Sequence, residues 1–266
     1  MQVFAATRRC LLSALLGFVA TAGGIAAGQS PQDNQPLERS ESVSQLQSSA
    51  SGDQIFADLV KHNELRSVGL RQYSALRTYS VTDLSGKIHA KETVRMEYVA
   101  PDQKTFKTIS EEGSSVVRHL VLNRLIESEV SAATGKDHHD SSITPANYSF
   151  RPLGEEDLGA HHCLVVEAIP KRLDKYLFQG KVWIDSNDFA VVQIAGHPAR
   201  KLSFWITRAD FVRQYEKIGD FWLPAKDETH VDVRLYGKKI LLIEHHTNTV
   251  NDLTSSASLG QNQVSK

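Results

Sequence analysis

The amino-acid sequence predicts an α+β, β-rich domain: a single curved antiparallel sheet, in effect a half-open β-barrel, covered on its concave face by helices. Three observations lead there. Most of the chain between residues 53 and 250 alternates apolar and polar side chains with period two. Turn residues interrupt that alternation at intervals too short for parallel crossovers, so neighbouring strands must be antiparallel. Only two segments carry the spacing of an amphipathic helix, and a sheet this wide with one wet face needs curvature to bury its apolar side.

The chain opens with Arg8-Arg9, an apolar run from Cys10 through Ala22, and the small residues Ala26-Ala27-Gly28. A positive flank, a short apolar core and a small-residue exit describe a secretory signal peptide over residues 1–28. The apolar run falls short of the ~20 residues that a bilayer-spanning helix needs. Thr7-Arg8-Arg9 followed by Leu11-Leu12 also partly resembles a twin-arginine signal, and either export route fits. Export places the protein in the periplasm. The 30 basic side chains less Arg8 and Arg9 leave 28 against 31 acidic ones. So mild a balance carries no nucleic-acid footprint and argues against tight electrostatic adhesion to anionic headgroups. Loss of Cys10 leaves Cys163 alone, so stability must come from a core and not from disulfides. Cys163 opens an apolar run to Val166 and reads as a buried, inert thiol.

Residues 29–52 are rich in Gln, Ser, Asn, Asp and Pro and read as a disordered leader, and residues 251–266 as a disordered tail. Between them, residues 53–250 form one domain. Asp53 can cap a helix whose Ile55, Phe56, Leu59, Val60 and Leu65 fall near one side. A second helix starts near Ser114 or Ser115, sets Val117, Leu120, Val121, Leu125 and Ile126 on a broad stripe, and stops at Gly135. Strand patterns follow. Val94, Met96 and Tyr98 alternate with Arg95 and Glu97, and Val231, Val233 and Leu235 alternate with Asp232, Arg234 and Tyr236. Segments around Cys163–Ile169, Tyr176–Asp185, Ala190–Ile194 and Leu202–Thr207 are rich in Val, Ile, Phe and Trp. Turns are expected at Ser85-Gly86, Asp185-Ser186-Asn187-Asp188, Gly219-Asp220 and Gly237-Lys238. Asp185 reads as a turn residue, and Trp183, Trp205, Trp222, Phe204 and Phe221 as large apolar surfaces for the interior.

Several kinds of chemistry are missing from these patterns. No Gly-rich phosphate loop, nucleophile elbow or Cys-His pair is visible, and Glu155, Glu156 and Asp157 read as an exposed loop after Gly154. The histidine pairs 138-139, 161-162 and 245-246 are adjacent in sequence, and neighbours on a strand point to opposite faces, so they make poor metal sites. The expectation is a non-enzymatic protein with no cofactor and no metal. If the helices cover the sheet imperfectly, an apolar cavity for a small ligand remains.

The stretch from Asn147 to His246 resembles the outer-membrane lipoprotein-sorting, or LolA-like, family of the LolA/LolB/RseB fold. The matching pieces run in order: Asn147-Tyr148-Ser149-Phe150, Pro170-Lys171-Arg172, Lys175-Tyr176-Leu177-Phe178, Gly180 through Asp185, Ser203-Phe204-Trp205, Tyr215 through Pro224, and Asp232 through Leu235. The resemblance implies a half-barrel closed by helices, with an apolar cavity for the acyl chains of lipoproteins or other lipids. It also implies membrane donor and acceptor proteins as partners, a monomer, and delivery toward the outer membrane. The alternative is a periplasmic sensor acting through a membrane protein. The residues expected to meet lipid are Val94, Met96, Tyr98, Val117, Val121, Trp183, Phe204 and Trp222. Carrier members use a cavity arginine. Arg77 and Arg95 lie on expected strands, and both read as solvated.

Overall fold

The computed structural model describes residues 41–101, 103–133, 143–174, 176–251 and 253–254. The expected signal peptide, His138-His139, Gly135 and most of the expected tail lie outside those residues. Helix α1 (Glu41–Gly69) leads into strands β1 (Gln72–Asp83), β2 (Ile88–Val99) and β3 (Gln103–Gly113). Helix α2 follows as Ser115–Val117, a π-helical stretch Arg118–Leu122, and Asn123–Ala133. Strands β4 (Tyr148–Leu158), β5 (His161–Pro170), β6 (Phe178–Asp185), β7 (Ala190–Pro198), β8 (Ile206–Ile218), β9 (Phe221–Val233), β10 (Gly237–Val250) and β11 (Leu253–Thr254) complete the order.

Among the described residues eleven strands form one antiparallel sheet, in the order β3-β2-β1-β10-β9-β8-β7-β6-β5-β4, with β11 pairing β10 off that path. The ends do not meet. Closure of the chain's two halves comes from β1 pairing β10, with Arg77 opposite His245 and Tyr79 opposite Ile243. From Tyr79 the register runs through Ile243, Asp227, Arg213, Ile194, Val182 and Val166. Directly paired residues share a face of the sheet, so this row defines one side of it.

Both helices pack on side chains of that face. Phe56 of α1 stacks on Phe150 of β4 with ring centroids 3.8 Å apart, and Leu59 joins the same core. Gly52 sits so close to the Phe150 carbonyl that a Cβ there would overlap it, at 2.0 Å. Leu122 and Leu125 of α2 pack against Tyr79, Val94, Leu241 and Ile243. Ser114 caps α2, its side chain accepting from the Val117 amide. The widened π turn shifts the phase of the helix, because each residue normally advances 100°. Leu122 and Leu125 are fully buried, while Val117, Val121 and Ile126 are partly buried.

Several expectations need correction. Helix α1 starts at Glu41, so residues 41–52 are helical rather than leader, and Asp53 lies inside the helix instead of capping it. Leu65, expected on the apolar stripe, is exposed. The tail is not wholly free: Leu253–Thr254 pairs β10. Asn251, with a left-handed φ of 46°, accepts from the Arg71 and Gln72 amides and donates to the Gly69 carbonyl. One side chain thus ties the end of β10 to the junction of α1 and β1. Residues Leu202 to Trp205 are a connection, not a strand, because the Ser203 hydroxyl accepts the amides of Trp205 and Ile206 and turns the chain away from the ladder. Strand β9 ends at Val233, so Leu235 and Tyr236 form an exposed turn. Residues 155–157 continue strand β4 past a bulge at Gly154 and stay exposed. Asp185 does form the expected turn, its carboxylate accepting the amides of Asn187 and Asp188.

Candidate functional site

The buried face is not uniformly apolar. One core lies under α1 and strands β4–β7, a second under α2 with β1, β2 and β10, and a third gathers Tyr73, Met96, Tyr98 and Leu223. Across the middle strands runs a belt of buried ionisable groups. Arg77, wholly buried between Ala75 and Tyr79 of β1, donates from Nη1 to Glu129 Oε2 at 2.7 Å. Lys104 Nζ of β3 reaches the same oxygen at 3.0 Å. Glu129 is on α2, so two strand cations hold the end of the helix against the sheet. Beside them Asp227 of β9 accepts from Arg213 Nε of β8 and pairs with His245 Nε2 of β10 at 3.1 Å.

The electrostatics follow from this packing. Burial disfavours the charged form of Glu129, yet the guanidinium of Arg77 and the ammonium of Lys104 outweigh it and hold the carboxyl well below the usual range. Burial likewise opposes the charge of Asp227, and Arg213 with His245 overcomes it, so its pKa is lowered. His245 goes the other way: burial first, then the field of Arg77, lower its pKa and favour the neutral imidazole despite Asp227. The belt therefore holds three cations, Arg77, Lys104 and Arg213, against two carboxylates. The Tyr73 and Thr229 hydroxyls are buried with no hydrogen-bond partner among the described residues, and the Arg77 guanidinium, beyond Glu129, has the Tyr79 hydroxyl near it. Buried donors without partners are costly, and here they sit on the face that both helices touch. This arrangement offers hydrogen bonds and positive charge to a polar group of a ligand.

The residues singled out from sequence do not form one site. Val94, with Val117 and Val121 of α2, lies in the second core, and Met96 and Tyr98 in the third. Trp183 and Trp222 lie in the first core, their indole N–H groups donating to Glu156 and Asp188. Phe204 is apart from all three, 68 % exposed beneath the Arg234 guanidinium. Arg95 is exposed as expected, but Arg77 is buried, the reverse of its solvated reading. The belt lies outside the residues that the sequence pattern singles out, although the sequence carries a signal for it. Tyr73, Ala75, Arg77, Tyr79 and Val81 share one strand face, and a cation in an apolar register needs a buried partner.

Cys163 is buried, and desolvation aided by Asp185 pushes its thiol up to about 11. His161 pairs with Asp185 and His162 with Asp157 and Glu155. Among the described residues no three His, Cys, Asp or Glu side chains come together around a metal-sized space. No helix of the described residues is long and apolar enough to cross a membrane.

The fold is that of an unclosed antiparallel sheet carrying two helices. No family model and no curated protein matches the sequence. Among solved structures, the chain is similar to the outer membrane lipoprotein-sorting protein domain from Vibrio parahaemolyticus. The identity is 15 % and the TM-score 0.39, over 80 % of this chain and 96 % of that one. It is similar to the LolA superfamily protein NE2245 from Nitrosomonas europaea, at 7 % identity and TM-score 0.31, over 66 % and 84 % of the two chains. It is also similar to a chain of the Pseudomonas aeruginosa MucA/MucB complex, at 9 % identity and TM-score 0.25, over 71 % and 93 %.

Proposed function

We propose that this chain is a periplasmic, non-enzymatic carrier, exported with loss of residues 1–28, which holds acyl chains of lipoproteins or other lipids on the helix-covered face of its sheet and passes them toward the outer membrane. The observation that carries this reading is the placement of the helices. Helices α1 and α2 pack on one face of a sheet that does not close, each over its own apolar core, with the belt between those cores. Displacing α2 exposes Tyr79, Val94 and Leu241 and requires that Glu129 leave Arg77 and Lys104, that Arg118 leave Glu111 and that Leu122 and Leu125 leave the core. An acyl chain then takes the place of helix side chains on the apolar face, while the ligand's polar group meets Arg77 once Glu129 has left it. Val94, Val117 and Val121 would meet the chain first. Apolar ligand sites with a few polar groups are of this kind.

The test is uptake of a fluorescent fatty acid by the purified protein, together with mass spectrometry of lipids that co-purify under native conditions. Saturable uptake that competes with unlabelled acyl ligand supports the reading. A protein that takes up no acyl probe and yields no co-purifying lipid, yet captures a membrane protein without lipid, sinks it in favour of a regulatory module.

A further inference from the structure

In an antiparallel meander alternate connections fall at opposite ends of the sheet, and here the two ends differ in chemistry. One end carries the connections β1–β2 (84–87), β5–β6 (171–177), β7–β8 (199–205) and β9–β10 (234–236). Register puts them together: Asp83 pairs Lys239, Ile206 pairs Val233, and Phe178 pairs Pro198. Each of these four connections presents a large apolar side chain to solvent: Leu84, Leu173, Phe204, and the Leu235-Tyr236 pair, at 60 % exposure or more. Leu235 does so with a left-handed φ of 70°, a conformation that costs a branched side chain strain.

Each connection also carries positive charge: Lys87, Lys171, Arg172, Arg200, Lys201 and Arg234. Lys171 donates to the Pro145 carbonyl, Arg172 contacts Asn147 and pairs with Asp174 at 3.7 Å, and Arg234 lies over the Phe204 ring. Lys87, Arg200 and Lys201 face no carboxylate among the described residues. Asp174 is the one acidic residue described in these connections, and it serves the Tyr176 amide. Beside the β7–β8 connection a cleft of about 290 Å³ is lined by His197, Arg200, Lys201 and Arg208 around Leu202 and Ile206, with Asp210 engaged by Arg208.

The opposite end lacks such a row of exposed apolar tips. Its described strand-to-strand connections (100–101, 159–160, 186–189 and 219–220) contain Asp188 and Asp220, Asp188 is paired with Lys217, Arg71 lies in the α1–β1 connection at the same end, and the one large apolar side chain of those strand-to-strand connections, Phe189, stacks on His62. The near-neutral total charge conceals a local excess of cations in the four connections of one end.

We infer that the end formed by connections 84–87, 171–177, 199–205 and 234–236 is a docking surface for an anionic lipid bilayer. The four tips recur at every second strand, so they span roughly 30 Å along the sheet at about 4.8 Å per strand. A row of exposed Leu, Phe and Tyr ringed by Lys and Arg matches the interfacial region of a membrane, where apolar side chains enter the acyl boundary and cations meet phosphates. The surface is independent of whether an acyl chain enters the interior, since none of these side chains belongs to the cores under the helices.

Flotation with vesicles of mixed phosphatidylcholine and phosphatidylglycerol, and of phosphatidylcholine alone, tests it. All proteins compared begin at residue 29, so differences between them report the connections. The wild type binds the mixed vesicles, and binding weakens at about 1 M salt, where screening shortens to about 3 Å. The variant Arg200→Glu with Lys201→Glu binds on the order of thirtyfold more weakly, since each basic residue at an anionic surface contributes about fivefold. Leu173→Asp with Leu235→Asp also loses binding, while Asp220→Asn at the other end does not. Brominated acyl chains quench the emission of Trp205, beside Phe204, and Trp205→Phe removes that quenched component. Equal binding to uncharged vesicles, equal binding by the variants, or no binding by the wild type each overturns the proposal. Acyl-probe uptake in the same preparations shows separately whether the carrier reading stands.

Discussion

The anchoring of α2 depends on one carboxylate, and Glu129→Gln tests it. Glu129 Oε2 is 2.7 Å from Arg77 Nη1 and 3.0 Å from Lys104 Nζ, and all three side chains are at most 3 % exposed. Removing the charge leaves two buried cations facing a neutral amide. Breaking a buried pair by removing one partner costs about 3–5 kcal/mol, and because glutamine keeps an acceptor oxygen the lower end applies. For a domain of this size each kcal/mol moves Tm by about 2–4 °C, so the variant should melt roughly 6–12 °C lower at pH 7. The dependence on pH has a definite sign. The folded-state pKa of Glu129 is depressed, with Arg77 and Lys104 overcoming burial. Its stabilisation is therefore complete above the ordinary carboxylate range, about pH 4.3, and fades as pH falls toward the folded value. The gap in Tm between wild type and variant should narrow below that point, because glutamine does not titrate. Thermal denaturation by circular dichroism across the acid range measures both effects. A double-mutant cycle adds the decisive comparison: Arg77→Met should cost less in the Glu129→Gln background than in the wild type. Additive costs, or a Tm change within about 2 °C, would refute the anchoring role of the pair.

Three further outcomes follow from the same structure. His245 has a folded-state pKa below its ordinary value, so the neutral form contributes stability that is lost as pH falls below about 6.5; the wild type should lose stability there before its carboxylates titrate, and His245→Asn should lack that early step in a urea-denaturation series. Cys163 should react slowly with a thiol reagent at pH 8 while folded and quickly once unfolded, since burial holds its thiol near 11. Asn251→Ala removes three hydrogen bonds that join β10 to the α1–β1 junction and places a Cβ-branched-free but still non-glycine residue at φ 46°; it should destabilise by about 1–3 kcal/mol, read as a lower denaturation midpoint at unchanged slope.

How far the fold was legible follows from which interactions are local. Alternation in Val94-Met96-Tyr98 and the Asp185 turn depend on neighbours in sequence, and both stand in the structure. The Ser203 hydroxyl that ends a strand pattern at Phe204 is equally local, but apolar periodicity is blind to it. The belt is different in kind. Arg77 and Glu129 are 52 residues apart, and Asp227 meets His245 across 18, so no window along the chain contains a whole ion pair and its burial. What the sequence does contain is the anomaly of a charged residue in an apolar register. A lone arginine at such a position would bear a desolvation cost that the fold could not sustain, so its partners are implied even where their positions are not. The docking end extends that reasoning to topology. A leucine in one turn and lysines in another are ordinary surface residues until strand direction assigns every second turn to the same end. Total charge then ceases to be informative, because a protein with almost none can still gather basic and apolar side chains in the turns of one end.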